Sequence, residues 1–431
     1  MNRKFTKTNQ LLKKALNVIP LATQTSSKSY FLYVKGQAPL FIDRAKGSHV
    51  WDIDRNEYID MINSMTAVSL GYAYGSVDKA ILKQLKKGIT FSLASELEYE
   101  LSKLLIKHIP CAEMVRFGKN GSDATSAAVR VARACANRDH IAHCGHHGWH
   151  DWYIGATARN KGVPKSTQKL IHTFEYNNIK SLEKIFKQNK NKVAAVIMEP
   201  MSYYEPKKGF LEAVKSLSHK NGALLIFDEV ITGFRFSMGG AQKLFNVIPD
   251  LATFGKAMAN GMPISALVGK KKYMKVIEDL FISSTFGGES LSLAASIATI
   301  KEMENKKIIQ DIWKKGKYLQ DKTNNLLKIN KLDKYIQILG KPCWQVFHFE
   351  RINQYSDLEV KTYIQQELLQ KGFLWYGQHN ISYSHTKIDI SKLLNAYDII
   401  FKDLRQLLDK SKLKQALRGA PIQDVFKIRK V

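Results

Sequence analysis

The chain has 431 residues, 45% apolar and 24% charged, which excludes a disordered or fibrous protein and leaves room for two or three domains with substantial cores. Its formal net charge is +28. Most of that excess is lysine spread along the chain, as in LKQLKKG (82–88), KQNKNK (187–192) and KKGKYLQDK (314–322). A nucleic-acid reader concentrates arginine and aromatics on one surface, so no nucleic-acid partner is expected.

The N-terminal MNRKFTKTNQLLKKAL lacks the apolar core of a signal peptide, and no apolar run reaches membrane-spanning length. A soluble, cytoplasmic protein with no membrane partner is expected. Cys111, Cys135, Cys144 and Cys343 form no CxxC pair and read as reduced thiols. Residues 38–62, PLFIDRAKGSHVWDIDRNEYIDMIN, alternate apolar and polar around Asp54-Arg55-Asn56, which predicts a β-meander.

From about residue 95 helix and strand alternate. SELEYELSKLLIKHI (95–109) and GSDATSAAVRVARACANR (121–138) have helical character. KVAAVIM (192–198) and ALLIFDEV (223–230) are short, continuously apolar runs, as in parallel strands buried on both faces. Helical SLEKIFKQ (181–188) and LEAVKSLSHKNG (211–222) flank them, the second closing on a glycine. This pattern predicts an α/β sheet domain. The last 120 or so residues mix helix and strand, as in QILGKPCWQVFHFE (337–350), and predict a smaller α+β domain. The expected division is an N-terminal segment 1–62 packed with the small domain, a large α/β domain 63–310, and the small domain 311–431.

Several stretches carry chemistry. HIAHCGHHGWHDW (140–152) holds five histidines around Cys144. Spacings such as His143-x-x-His146 suit metal ligands on a helix, but Gly145 and Gly148 interrupt any helix there, and zinc needs its ligands fixed in a tetrahedron. ALLIFDEVITGFRF (223–236) brings Asp228 and Glu229 to the carboxyl end of a buried strand, where open α/β sheets bind ligands. DLATFGKAMANGMPISALVG (250–269) sets Lys256 among small apolar residues, and partial desolvation frees a lysine amine for Schiff-base chemistry. In RFGKNGSDATSAAVRVARA (116–134) an Asn-Gly-Ser turn feeds a helix, with Ser122 near its start, a seat for phosphate. In SSTFGGESLSLAAS (283–296), Thr285 and a Gly-Gly pair precede another helix and offer a second phosphate contact. An amine for an aldehyde, a carboxylate for a ring nitrogen and seats for phosphate are the parts that hold pyridoxal phosphate.

The sequence resembles the class III pyridoxal-phosphate aminotransferases, closest to the branch of glutamate-1-semialdehyde 2,1-aminomutase. The likeness runs from GSHVWDIDRNEYIDM (47–61) through NGSDATSAAVRVARA, HHGWHDW, IMEP (197–200), FDEVITGFRF and TFGKAMANGMPISALVG to HNISYSHTKIDI (379–390). It implies a fold-type I transferase whose large domain holds a mostly parallel seven-stranded sheet flanked by helices. It implies that Lys256 bonds the cofactor, that Asp228 pairs with the pyridinium nitrogen, and that Val230 packs on one face of the ring. Asn120, Gly121 and Ser122 match the phosphate loop. Thr285 matches the threonine that reaches the phosphate of the neighbouring subunit, which implies a homodimer. His146 stands where the family has a tyrosine stacked on the open face, with His147 and Gly148 shaping the pocket edge. His140, His143 and His150 read as loop or surface residues. Imidazole is smaller than phenol and titrates near neutral pH. Glu199 fits the Glu-Pro at a strand end facing the site.

The resemblance leaves two activities, with a small-molecule amino donor and a carbonyl acceptor in the first. The aminomutases carry an arginine in an N-terminal SPVRAF-like segment; here TQTSSKSYF (23–31) offers Lys28 as the nearest cation, without the bidentate fork. They also have a glutamate before the C-terminal HT, and WYGQHNISYSHT (375–386) has none. Both departures favour transamination between two molecules, with Lys28 and Glu199 as candidate substrate contacts; the alternative is an intramolecular aminomutase. A metal-binding protein built on the 140–150 histidines is a remoter reading, and no metal site is expected. Neither metal nor nucleic-acid binding accounts for Lys256 or Asp228.

Overall fold

The computed structural model describes residues 3–423, so residues 424–431 of the expected small domain lie outside the described residues. The chain divides into two compact units. Among the described residues, one gathers the chain up to Met65, Ser69–Tyr74 and the chain from Gln310 to residue 423; the other holds Thr66–Val68 and Gly75–Ile309.

In the first unit the alternating segment forms β1 (Ile42–Lys46), β2 (His49–Asp52) and β3 (Glu57–Asp60), an antiparallel meander. Its second turn closes through Arg55, left-handed at φ 68°, while the Asp52 carboxylate accepts the Asn56 N–H at 2.8 Å. Alternation puts Val50 and Tyr58 inward, where they pack with Phe5, Ala38, Ile62, Leu369 and Leu374.

The second unit is built on a sheet of seven strands among the described residues: β4 (Met114–Gly118), β5 (His140–Cys144), β6 (Ile171–Thr173), β7 (Val193–Met198), β8 (Leu224–Asp228), β9 (Leu251–Phe254) and β10 (Ser265–Gly269). Their spatial order is β4-β10-β9-β8-β7-β5-β6. Pairings from β9 to β6 are parallel, and β10 runs antiparallel to both neighbours. Every residue of β7 and β8 is buried, which is why those runs are continuously apolar. The fold is the fold-type I transferase architecture, α/β with a mostly parallel seven-stranded sheet.

The helix Gly121–Ala136 lies on this sheet. Its alanines keep it thin on the buried side, so Ala128, Val129, Val131 and Ala132 join one core with Ile141, Ala195, Ile197, Ile226 and Leu267. It stops at Asn137, left-handed at φ 49°. The helix Phe210–Lys220 ends short of the predicted glycine, with Gly222 left-handed at φ 69° just beyond it.

The first unit resumes with the hairpin β11 (Ile336–Lys341) and β12 (Trp344–Phe349), then β13 (Phe373–Leu374), which extends the meander by pairing parallel with β3. A short β14 (Gln378–His379) pairs with β12. Helices Asp357–Gln370 and Lys387–Asp409, each opened by a capping box, belong to the same unit.

Candidate active site

Four neighbouring strands, β9, β8, β7 and β5, deliver the candidate residues at their carboxyl ends. Lys256 follows β9, Asp228 is the last residue of β8, Glu199 follows β7 and His146 follows β5. A strand buried on both faces stays apolar until it leaves the sheet, so polar chemistry collects where it ends.

Lys256 opens a 3-10 turn (Lys256–Ala259) with a left-handed φ of 43°, a conformation that L-residues other than glycine and asparagine rarely hold. Such strain gathers at functional sites because the surrounding structure over-determines it. Burial holds the ammonium below the ordinary lysine range, with the charges of Glu199 and Asp228 pulling it back up. The amine has no hydrogen-bond or ion-pair partner among the described residues.

Asp228 is 6% exposed and hydrogen-bonded through both carboxylate oxygens. One oxygen accepts the Val230 N–H at 3.1 Å and the Thr253 hydroxyl at 3.2 Å. The other lies 2.8 Å from His147 Nδ1, and His147 Nε2 lies 3.1 Å from the Cys144 carbonyl oxygen. Thr253 reaches Asp228 because the two pair across β8 and β9. Glu229 turns the other way. It accepts the N–H groups of Ala241 and Gln242 at 2.6 and 2.8 Å and a hydroxyl from Thr232, and so anchors the short helix Ala241–Leu244. With no exposed surface, burial pushes its carboxyl up to about 7 against these donors.

The helix Gly121–Ala136 starts beside this group. Asn120 is its N-cap, and Asp123 accepts the N–H groups of Lys119 and Asn120 at 2.9 and 2.8 Å. The N–H groups of Gly121 and Ser122 have no partner among the described residues and stand at the positive end of the helix dipole. A Cβ at Gly121 would lie 3.1 Å from Val230 Cγ1, so the glycine lets Val230 sit against the helix start. Gly148 is left-handed at φ 102°, and a Cβ there would lie 2.1 Å from Ser122 Oγ. Only glycine lets the histidine loop press this closely on the phosphate seat.

His146 donates its backbone N–H to Glu199 at 3.0 Å, and its ring meets Tyr153 edge to face at 5.4 Å. Desolvation by its neighbours holds its imidazole down at about 4, with the charge of His147 helping, although the residue keeps exposed surface. Glu199 moves oppositely: burial lifts its carboxyl to about 7, Asp228 adds to the rise and His147 opposes it.

The other rings take separate partners. His143 is not a loop or surface residue: it is a 3% exposed member of β5, 2.8 Å from the Thr173 hydroxyl, and burial drives it down to about 3. His140 also lies in β5, its ring stacked on His172 with nitrogens 2.8 Å apart. His150 Nδ1 lies 2.6 Å from Ser126 Oγ. His147 does more than shape an edge, since it bonds Asp228 directly.

Thr285 is exposed in the segment before the helix Ser290–Asn305. Lys28 belongs to the other unit, at the end of a 3-10 turn (Ser26–Lys28). There it lines a cavity of about 430 Å³ with Tyr33, Asp60, Tyr72 and Tyr376.

These parts fit pyridoxal phosphate. A partnerless, desolvated amine suits its aldehyde, Asp228 its ring nitrogen, and the free N–H groups of Gly121 and Ser122 its phosphate. Thr253, Tyr153 and the role of His147 were missed in the sequence. For His147 the signal was present, a second imidazole beside the proposed ring-stacking one; for Thr253 it required the strand order.

The class III aminotransferase family matches residues 32–388. The chain is 36% identical over 415 residues to the 3-aminobutyryl-CoA aminotransferase of Cloacimonas acidaminovorans, covering 94% of this chain and 99% of that protein. It is 35% identical over 428 residues to a glutamate-1-semialdehyde 2,1-aminomutase of Methanosphaera stadtmanae, covering 93% and 99%. Among solved structures it resembles the FumI protein of Sphingopyxis sp. MTA144 in its pyridoxal-phosphate internal aldimine form, with TM-score 0.88 and 26% identity over 97% of this chain and 99% of that one.

Proposed function

Since the chain belongs to the class III aminotransferase family, whose cofactor is pyridoxal phosphate and whose donors and acceptors are small molecules, we propose that it transfers an amino group between two substrates. The observation that carries this reading is the partnerless Lys256 amine, desolvated and flanked by the charges of Glu199 and Asp228.

The bound cofactor supplies an electron sink for charge developing at the substrate carbon. Lys256 would hold the cofactor at its aldehyde carbon. As a free amine Lys256 would act as general base and acid, taking and returning a proton at the substrate carbon. Asp228 would hold the ring nitrogen, kept in place by His147, Thr253 and the Val230 N–H. Gly121, Ser122 and Asn120 would bind the phosphate at the helix start. Val230 and His146 would close the two faces of the ring against water, and Glu199 would meet the substrate.

Transfer between two molecules is preferred over the aminomutase reaction for two reasons. Lys28 replaces the expected arginine, and the segment 375–386 carries no carboxylate to complete an aminomutase grip; its His379 instead bonds Gln345 and Tyr397 at 2.8 and 2.7 Å. A homodimer is part of the reading. Phe281 and Phe286, flanking Thr285, are 83% and 57% exposed in the single chain, as residues awaiting a second copy would be. The free thiols of all four cysteines support a cytoplasmic setting.

The test is spectroscopic. The wild type is expected to show a visible cofactor band that an amino donor bleaches, and Lys256→Ala to lack it. A colourless wild type that takes up no pyridoxal phosphate overturns the reading. Turnover of glutamate 1-semialdehyde alone, without a second substrate, would favour the aminomutase.

A further inference from the structure

The segment 281–289, which carries Thr285, is held at both ends by cations of its own unit. At its start Arg130 Nη1 donates to the Phe281 carbonyl oxygen at 3.0 Å, and Arg116 Nε to that of Ile282 at 3.1 Å. At its end Lys119 Nζ lies 2.9 Å from Glu289 Oε2 and 3.3 Å from Ser292 Oγ. Between them the Gly287 N–H donates to the Ser284 carbonyl oxygen at 3.0 Å and closes a turn with Thr285 and Phe286 at its tip. A Cβ at Gly287 would lie 3.1 Å from the Phe117 carbonyl oxygen, so this turn rests on the end of β4, beside the backbone that leads into Lys119.

Lys119 differs from the two arginines in what it joins. Its backbone N–H donates to the Asp123 carboxylate at 2.9 Å, in the first turn of the helix whose Gly121 and Ser122 N–H groups form the phosphate seat. Its partner Glu289 is the N-cap of the helix Ser290–Asn305, and accepts the Leu291 N–H and the Ser292 hydroxyl at 2.6 Å each. Glutamate is not among the side chains that helix N-caps favour; its extra length is what reaches Lys119. The two side chains are 17% and 12% exposed, so solvent screens the pair little and its geometry is fixed. The ammonium is engaged by Glu289 and Ser292, so its effect on phosphate binding runs through them.

We propose that Lys119 is a positioning residue for the phosphate contact of Thr285: through Glu289 it fixes the turn 284–287 against β4 and so sets where the threonine stands for the neighbouring site. This rests on the reading that Thr285 reaches the phosphate of a second copy. One lysine thereby ties the seat that a chain keeps for its own cofactor to the threonine that it lends.

A double-mutant cycle on pyridoxal-phosphate affinity, read by absorbance titration, tests the role. Thr285→Ala is expected to weaken binding by about tenfold, the loss of one hydrogen bond to a charged group, and Lys119→Met by up to the same factor. The double variant is expected to bind no more weakly than Thr285→Ala alone, because a residue that acts through another contributes nothing once that other is gone. Glu289→Ser keeps an N-cap oxygen but is too short to reach Lys119, and is expected to match Lys119→Met. Losses that multiply in the double variant would mean that Lys119 acts independently of Thr285, and overturn the role. So would a lower melting temperature with unchanged affinity, the result that a merely structural ion pair gives. If Lys119→Met does not fold, Glu289→Ser takes its place in the cycle. Unchanged affinity in Thr285→Ala refutes the threonine contact and the inference with it, and leaves the proposed transfer of an amino group standing. A wild type that takes up no pyridoxal phosphate overturns the proposed function and, with it, the inference.

Discussion

His146 and His143 show how little a histidine's residue type says about its charge. At about 4 and about 3 both rings are neutral at physiological pH: His143 is buried, and His146, though it keeps exposed surface, is desolvated by its neighbours. His146 is therefore available as a plain aromatic ring. Stacking of this kind contributes about 0.5–1.5 kcal/mol, so His146→Ala is expected to weaken pyridoxal-phosphate binding by up to about tenfold in an absorbance titration, with no inflection in wild-type affinity from His146 itself near pH 6.5. His143 makes a prediction about stability. Its folded value is depressed below the ordinary 6.5, so its contribution is present above that pH and is lost as pH falls towards about 3. Urea unfolding of the wild type is expected to lose up to about 1.4 kcal/mol per pH unit from this residue between about pH 6 and 4. His143→Gln should flatten that slope by one proton.

At the level of elements, a loop and a helix start meet through a missing side chain. Gly148 packs its backbone against Ser122 at the head of the helix Gly121–Ala136, in a left-handed conformation that a side chain resists. Gly148→Ala is expected to destabilise the protein by about 1–3 kcal/mol in urea unfolding and to weaken cofactor binding by pushing the loop off the phosphate seat. The helices themselves were legible in the sequence, because capping residues and periodicity are local properties. The strand ends were legible too: ALLIFDEV is apolar up to the residue where β8 leaves the sheet. Composition and periodicity do not tell Asp228 from Glu229; the family resemblance does. They are adjacent in sequence but turn to opposite partners, one to His147 and Thr253, the other to the N–H groups of Ala241 and Gln242.

For the whole molecule the open matter is the second copy. If Thr285 completes a neighbouring site, Thr285→Ala is expected to keep the dimer and to lower cofactor affinity by about tenfold, the loss of one hydrogen bond to a charged group. Phe281→Glu with Phe286→Glu is expected to shift the protein towards monomer in sedimentation velocity and to lower cofactor occupancy with it. A monomeric wild type with full occupancy would refute the dimer. Among the described residues no helix is long and apolar enough to cross a membrane.

The sequence alone determined the alternation of helix and strand, the buried parallel strands, and the candidacy of Lys256 and Asp228. Each rests on residues close together in the chain, where period, capping and composition act directly. The strand order, and with it the gathering of β9, β8, β7 and β5 ends into one site, was decided only by tertiary structure. So were the pairing of Thr253 with Asp228, the burial that keeps His143 neutral, and the contact of His147 with Asp228. Charge states depend on desolvation and on partners that are distant in sequence, and those exist only once the sheet has formed.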